Sequence, residues 1–161
     1  MKENSSLPLK EAKTYIDAID FSQIINKLER QYGWDPHEAA DICDMYRNFL
    51  YLQKKYGQTH ALPPSEEIDE FWHMHILDTK KYRRDCELIF GYYLDHYPYF
   101  GIDEKTSLND LEAAFGTMQE LYVKEFGTPI YEIRSWISKL SSFVKQQLFR
   151  YKPKRVAFTP N

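Results

Sequence analysis

Apolar residues recur at spacings of three and four along most of this chain, and this periodicity is typical of amphipathic α-helices. Ile24, Ile25 and Leu28, for example, share the inner face of a helix predicted from about Ile16 to Gln31. Strictly alternating patterns, which would predict strands, are nearly absent. Because a chain of 161 residues is most simply one domain, the sequence predicts an all-α, single-domain bundle of five or six helices.

Prolines, glycines and capping residues mark where the other predicted helices begin and end. Asp35 followed by Pro36 is a strong start signal, because aspartate caps a helix and proline is tolerated in its first turn. Ser65 takes the same capping role directly after the break at Pro63-Pro64. The predicted helices are Pro36 to about Tyr56, a helix from Ser65 onward, one from Asp78 to about His96 (new or continuous with the preceding one), one from Thr106 or Ser107 to Gly127, and Ile130 to Phe149.

The domain organisation expected from these patterns is simple. Residues 1–14 are predicted to be a flexible N-terminus, residues 15–150 the helical domain and residues 151–161 a basic C-terminal tail. The first residues lack the apolar run of a signal peptide, and no stretch approaches the roughly 18 apolar residues that span a bilayer. With only two cysteines, a disulfide framework is not expected. We therefore expect a cytoplasmic protein, or an effector exported by a signal that this sequence does not reveal.

Charge is distributed unevenly along the chain. The formal net charge is −3, yet no acidic residue follows Glu132 and seven basic residues do. The first 132 residues are therefore strongly acidic. A basic helix and tail can contact an acidic protein, an anionic membrane or nucleic acid. Such a basic end is more often a solvated helix and a loose tail. Because the rest of the chain would repel nucleic acid, the partner considered for the basic C-terminal helix and tail is a protein.

The most distinctive short segment is Asp69–His75, which reads Asp-Glu-Phe-Trp-His-Met-His. Three of the five histidines lie between His73 and His96. Imidazole, thiolate and carboxylate groups are the protein ligands of zinc and iron. The segment therefore predicts a zinc or iron site. The favoured ligands are His73, His75 and His96, with Asp69 as a ligand or as the group that orients one, and with Cys86 as the weakest candidate.

Helical spacing limits how these candidates can combine. Asp69 and His73 are four residues apart and share a helix face, so both can be ligands, or Asp69 can orient the His73 imidazole. In a straight helix, His75 points to roughly the opposite side from His73. Two groupings therefore stay open. One joins His96 to Asp69 and His73, and the other joins His96 to His75 and Cys86.

A different chemistry would use Cys86 as a nucleophile, activated by His75 or His96 as a thiolate–imidazolium pair. Such a thiol needs an electropositive environment that lowers its pKa. Asp85 and Glu87 flank Cys86 and would instead raise the pKa of the thiol. Nucleophilic catalysis by Cys86 is thus the less favoured interpretation.

The alternative to a site of any kind is a non-catalytic helical interaction module, in which the histidines and aromatic residues serve packing. His37 and His60, at a helix start and in a polar loop, are expected to be solvated. If a metal is bound, the natural uses are those of a metal-dependent hydrolase or an oxidative iron enzyme. Asp69 or Tyr82 would then transfer protons.

The residues of this region also resemble the helical domain of the glycine-rich domain-containing proteins. The resemblance covers about residues 15–140, without a glycine-rich extension, and so implies a stand-alone relative of bacterial type. It implies that the family signature includes Asp69, Trp72, His73, His75, Tyr82, Cys86 and His96. The residues that carry it are Pro64-Ser65, Asp69 to Thr79, Tyr82, Asp85-Cys86, Gly91, Asp95-His96, Tyr122, Phe126-Gly127 and Trp136.

Overall fold

The computed structural model describes residues 6–130, and these residues form six α-helices and no strand. The all-α prediction is thereby confirmed. The predicted helix from Ile130 to Phe149 and the basic tail lie outside the described residues, so the partner expected there stays a prediction. No described helix has the length and apolar character that crossing a bilayer requires. The helices are α1 Leu9–Ala18, α2 Ser22–Tyr32, α3 Pro36–Tyr56, α4 Glu66–Leu77, α5 Thr79–Phe90 and α6 Leu108–Phe126.

Helix α3 is central among the described elements and packs against α1, α2, α4 and α6. It begins as the sequence predicts. The Asp35 side chain accepts hydrogen bonds from the backbone N–H groups of His37 and Glu38, at 2.9 and 3.2 Å, and Pro36 occupies the first turn. The N–H groups in the first turn of a helix have no carbonyl partner within the helix, and these hydrogen bonds provide one for two of them. The helix ends at Tyr56, also as predicted.

A cluster of buried aromatic rings fixes the orientation of α4. Phe21 packs edge-on against Phe71, with ring centroids 5.5 Å apart, and Phe49 packs against Trp72 at 5.1 Å. Fully burying a side chain of this kind stabilises a fold by roughly 1.5–3 kcal/mol. Because Phe71 and Trp72 point into this core, the neighbouring His73 lies at the solvent-facing edge of α4.

The prediction of one helix from Ile16 to Gln31 is wrong, because two helices, α1 and α2, occupy this region. The chain turns between them at the buried residues Ile19 and Phe21. Arg47 of α3 donates hydrogen bonds to the carbonyls of Ile16 and Ile19, at 2.7 and 2.9 Å, and so caps the end of α1 from outside the helix. Residues 9–14, expected to be flexible, belong to α1.

Helices α4 and α5 are separate, which settles an alternative that the sequence left open. Asp78 lies between them with φ −81° and ψ 68°, outside helical geometry. Its side chain accepts a hydrogen bond from the backbone N–H of Lys81 at 3.4 Å and so caps α5.

The prediction that the helix after Asp78 runs to about His96 is wrong, because α5 ends at Phe90. Gly91 adopts the left-handed conformation, with φ 78°, and its N–H bonds the carbonyls of Cys86 and Glu87. This is a common way for a helix to end, and glycine adopts it without a steric penalty. A continuing helix would place His96 about 9 Å beyond Phe90. The early end instead lets His96 approach α4.

The glycines Gly101 and Gly116 provide a matched pair for a stability test. Gly101 has φ 89°, and a Cβ there would lie 2.8 Å from the Cβ of Leu111, whereas a Cβ on Gly116 in α6 would meet nothing within 4 Å. We expect Gly101→Ala to lower the free energy of unfolding by about 1–3 kcal/mol. Gly116→Ala should raise it by about 0.5–1 kcal/mol. Urea unfolding measures both, and equal effects at the two positions would contradict this expectation.

Candidate metal centre

Two residues of the site lie on α4, one helical turn apart. The hydroxyl of Ser65 accepts a hydrogen bond from the N–H of Ile68 at 3.3 Å and so fixes where α4 begins. From this start, Asp69 and His73 project together, with Asp69 Oδ2 lying 3.7 Å from His73 Nε2. The side chain of His73 is 43% exposed and that of Asp69 is 13% exposed. The pair therefore borders solvent.

His96 reaches the same place from the segment that follows α5. Its Nε2 lies 2.7 Å from Asp69 Oδ1, and its ring centroid is 4.6 Å from that of His73. The Trp72 ring packs against His96, with centroids 4.7 Å apart. Each oxygen of the Asp69 carboxylate thus faces a different imidazole.

The spacing of these atoms suits a small cation. One ligand atom from each of Asp69, His73 and His96 lies within 4.8 Å of the other two. Nitrogen and oxygen ligands stand about 2.0–2.2 Å from zinc, so tetrahedral ligands stand roughly 3.3 Å from one another. The contacts of 2.7 and 3.7 Å that Asp69 makes fall on either side of that value. Small side-chain rotations would therefore bring the three groups to coordination distance.

The surrounding charge also favours a cation. Glu66 and Glu70 precede Asp69 and His73 by three residues each, so they lie on the same face of α4. Glu70 and Asp95, which precedes His96, are both exposed. Grouped carboxylates produce a negative potential that concentrates cations near a site.

His75 lies elsewhere, in a buried network formed by Tyr15, Tyr46, His75 and Asp85. It is 1% exposed, and its Nδ1 lies 2.9 Å from the Tyr46 hydroxyl. Its Nε2 lies 3.1 Å from Asp85 Oδ2, and because a carboxylate only accepts, Nε2–H is the donor. Asp85 also accepts a hydrogen bond from the Tyr15 hydroxyl at 2.6 Å and lies 3.2 Å from the Lys81 ammonium. The network joins α1, α3, α4 and α5.

Burial and hydrogen bonding set the charges within this network. Burial lowers the pKa of His75, although the hydrogen bond and the charge of Asp85 oppose that shift. Burial alone would raise the pKa of Asp85, but hydrogen bonds from His75 and Tyr15 and the charge of Lys81 outweigh it and hold that pKa well below its usual range. Burial and the hydrogen bond to Asp85 raise the pKa of Tyr15 to about 12. At neutral pH the network therefore holds an ionised Asp85 and a neutral His75.

Cys86 is also away from the Asp69–His73–His96 group. It is 2% exposed, and burial raises the pKa of its thiol. The backbone of Leu94 and the hydroxyl of Tyr82 lie near the thiol and lower its pKa, but burial outweighs them. A protonated thiol in this position favours neither metal ligation nor nucleophilic attack.

Tyr82, considered for proton transfer, is fully buried. Its hydroxyl accepts a hydrogen bond from Trp72 Nε1–H at 2.9 Å and donates one to the carbonyl of Leu94 at 2.6 Å. Because the hydroxyl proton is held by that carbonyl, Tyr82 is placed to support the site and not to exchange protons with a substrate.

Of the two groupings that helical spacing left open, the structure forms the one with Asp69, His73 and His96, and it separates His75 and Cys86 from them. His37 and His60 are exposed, as predicted. Sequence reasoning missed the partners of His75. Tyr46 is 29 residues away from it, and Tyr15 is 70 residues from Asp85, so no local pattern connects them.

These observations define the class: an all-α protein with a histidine–carboxylate group at the edge of its fold. The sequence model of the UCP032817-like family matches residues 11–116, and the chain belongs to that family. This finding overturns the resemblance to the glycine-rich domain-containing proteins, because the histidine segment behind it lies within the matched region. The description of the matching family names no activity. A search of curated proteins and a search of solved structures each found no match.

Proposed function

We propose that this protein binds a divalent transition metal, zinc or iron(II), through Asp69, His73 and His96. The observation that carries the proposal is the placement of the Asp69 carboxylate, whose two oxygens face the Nε2 atoms of His73 and His96 at 3.7 and 2.7 Å. The negative charge on the same face of α4 supports it. Neutral imidazole and carboxylate are ligands that both metals accept.

Three protein ligands are more typical of a catalytic metal site than of a structural one. Structural zinc sites use four protein ligands, whereas catalytic sites use three and leave a position open. Two histidines and one carboxylate with open positions are also the ligand set of non-haem iron(II) oxygenases. His73 is 43% exposed, so solvent or a substrate reaches this side of the group. When bound, such a metal supplies Lewis-acid chemistry for hydrolysis or, as iron, redox chemistry.

Zinc titration by calorimetry, and iron(II) titration without oxygen, test this proposal on the full-length chain. We expect about one equivalent of metal to bind. Loss of a residue that merely supports a ligand costs about 10–100-fold in affinity, so His96→Ala and Asp69→Asn should each cost more than about 100-fold. Far-UV circular dichroism should show that the helices are retained, because the substituted side chains lie at the edge of the fold.

His60→Ala is the matched control, since His60 is exposed and lies in the loop before α4, outside the Asp69–His73–His96 group. It should leave the metal affinity unchanged. Folded wild-type protein that takes up neither zinc nor iron(II) would refute the proposal. A His96→Ala variant that binds like the wild type would show that the ligands have been misassigned. The first result would favour the interaction module considered as the alternative.

We also propose a cytoplasmic location. Cys43 and Cys86 are both free and buried, and neither is arranged as a disulfide partner. Free thiols of this kind are typical of proteins that work in a reducing compartment. Fractionation of cells that express the full chain at native level tests the location, and recovery in the medium would instead support export as an effector.

A further inference from the structure

We propose that Tyr82 is a positioning residue that holds His96 at the metal site. Its hydroxyl does not bond the side chain of any proposed ligand, and it acts through Trp72 and Leu94. The proposal rests on the proposed function. Of the three proposed ligands, His96 is the one that lies in a loop, and Tyr82 fixes its position. Asp69 and His73 are held by helix α4, whereas His96 lies six residues beyond the end of α5.

A single hydroxyl group connects the three parts of the chain that meet here. Tyr82 of α5 accepts a hydrogen bond from Trp72 of α4 at 2.9 Å. The same hydroxyl donates to the carbonyl of Leu94, two residues before His96, at 2.6 Å. Tyr82 is fully buried and Trp72 is 5% exposed, so water cannot readily replace these hydrogen bonds.

A second contact holds the same loop residue. The backbone of Leu94 also lies close enough to the thiol of Cys86, one turn after Tyr82 on α5, to lower the pKa of that thiol and so oppose part of the effect of burial. Leu94 is therefore hydrogen-bonded to Tyr82 of α5 and lies beside Cys86 of the same helix. With Gly91 turning the chain at the helix end, little freedom is left for the residues between Gly91 and His96.

Trp72 connects Tyr82 to the imidazole ring of His96. Its ring packs against the His96 imidazole at 4.7 Å, and its N–H is held by Tyr82. Tyr82 thus fixes both the backbone that leads into His96 and the ring that flanks it. Without this support, His96 would sample positions away from Asp69, and metal binding would have to restrict that motion.

The variant that tests this is Tyr82→Phe, which removes the hydroxyl and keeps the ring. We expect zinc affinity, measured by competition with a chromophoric chelator, to fall about 10-fold, at the low end of the effect of supporting residues. The visible absorption of the cobalt(II)-substituted protein should change, because the coordination geometry loosens. In metal-free protein, the NMR signals of the His96 ring should shift.

Tyr46→Phe is the matched control, because it also removes a buried tyrosine hydroxyl, the one that contacts His75. It should lower stability but leave zinc affinity and the His96 signals unchanged. If both variants lose the same zinc affinity, Tyr82 has only a general stabilising role and the proposal is overturned. A Tyr82→Phe variant with the zinc affinity of the wild type would also overturn it. If Tyr82→Phe does not fold, Cys86→Ala removes the thiol that lies beside the backbone of Leu94 and is expected to weaken zinc binding in the same direction, and unchanged zinc affinity in a folded Cys86→Ala protein would overturn the proposal.

The failure of the proposed function is distinguishable from the failure of this inference. Wild-type protein that binds no zinc would refute the metal site. The metal-free NMR comparison would still decide whether Tyr82 positions His96: a shift of the His96 ring signals in Tyr82→Phe, absent in Tyr46→Phe, supports it, and no shift overturns it.

Discussion

Asp85→Asn is expected to lower the free energy of unfolding by about 3–5 kcal/mol, the usual effect of removing one partner from a buried ion pair. Asp85 is 1% exposed and accepts hydrogen bonds from His75 and Tyr15 while pairing with Lys81. The neutral amide cannot accept at both oxygen positions, so a buried donor loses its partner and the Lys81 ammonium loses its counter-charge. Urea unfolding followed by circular dichroism measures the loss.

Asp44→Asn provides the control for this prediction. Asp44 is paired with Arg47 at 3.6 Å, but its side chain is 81% exposed. Exposed ion pairs contribute about 0–1 kcal/mol, so this variant should unfold close to the wild type. An Asp85→Asn variant that loses less than about 1 kcal/mol would show that the buried network is not needed to hold the four helices together.

Stability is also expected to fall as the pH is lowered through about 6.5, and to fall again below about pH 4. The folded-state pKa of His75 lies below its unfolded-state value of about 6.5, so the unfolded chain takes up a proton first as the pH falls. Asp85 also has a lowered pKa, so its contribution is complete above about pH 4 and is lost below it. Each unit of difference between folded and unfolded pKa is equivalent to about 1.4 kcal/mol.

Denaturant unfolding at a series of pH values, with a chelator present to keep the metal site empty, measures this dependence. His75→Gln should flatten the curve between about pH 6.5 and 5, because it removes the group that titrates there. Asp85→Asn should flatten it below about pH 4. Wild-type stability that is constant between pH 7 and 5 would contradict the neutral state assigned to His75.

The three histidines of the central segment illustrate how differently one residue type is used within a short distance. His73 lies at the solvent-facing edge, and His96 is partly covered by an indole ring. His75 is buried and is hydrogen-bonded to Tyr46 and Asp85. The interpretation of the histidines as packing is therefore correct for His75. The interpretation as ligands is the one we propose for His73 and His96.

Local sequence determined the helical class and the positions of several helix boundaries. The Asp35–Pro36 start of α3, the Ser65 start of α4 and the end of α6 before Gly127 follow from capping and turn preferences, which depend on neighbouring residues only. The same local geometry correctly placed Asp69 beside His73 and directed His75 away from it. It was sufficient because both relations involve residues of one helix.

The tertiary structure decided the rest, because the remaining relations join residues that are distant in sequence. Arg47 of α3 ends α1 by binding its carbonyls, and no local signal in α1 indicates that break. His96 lies beside Asp69, 27 residues away in sequence, because α5 ends at Phe90 and the chain turns at Gly91. The Tyr82 hydroxyl donates a hydrogen bond to the carbonyl of Leu94 in the following loop. The sequence by itself therefore specified the helical class, several helix boundaries and the pairing of Asp69 with His73 on one helix. Packing specified the position of His96, since bringing a loop residue to a helix requires the close approach of α4 and α5.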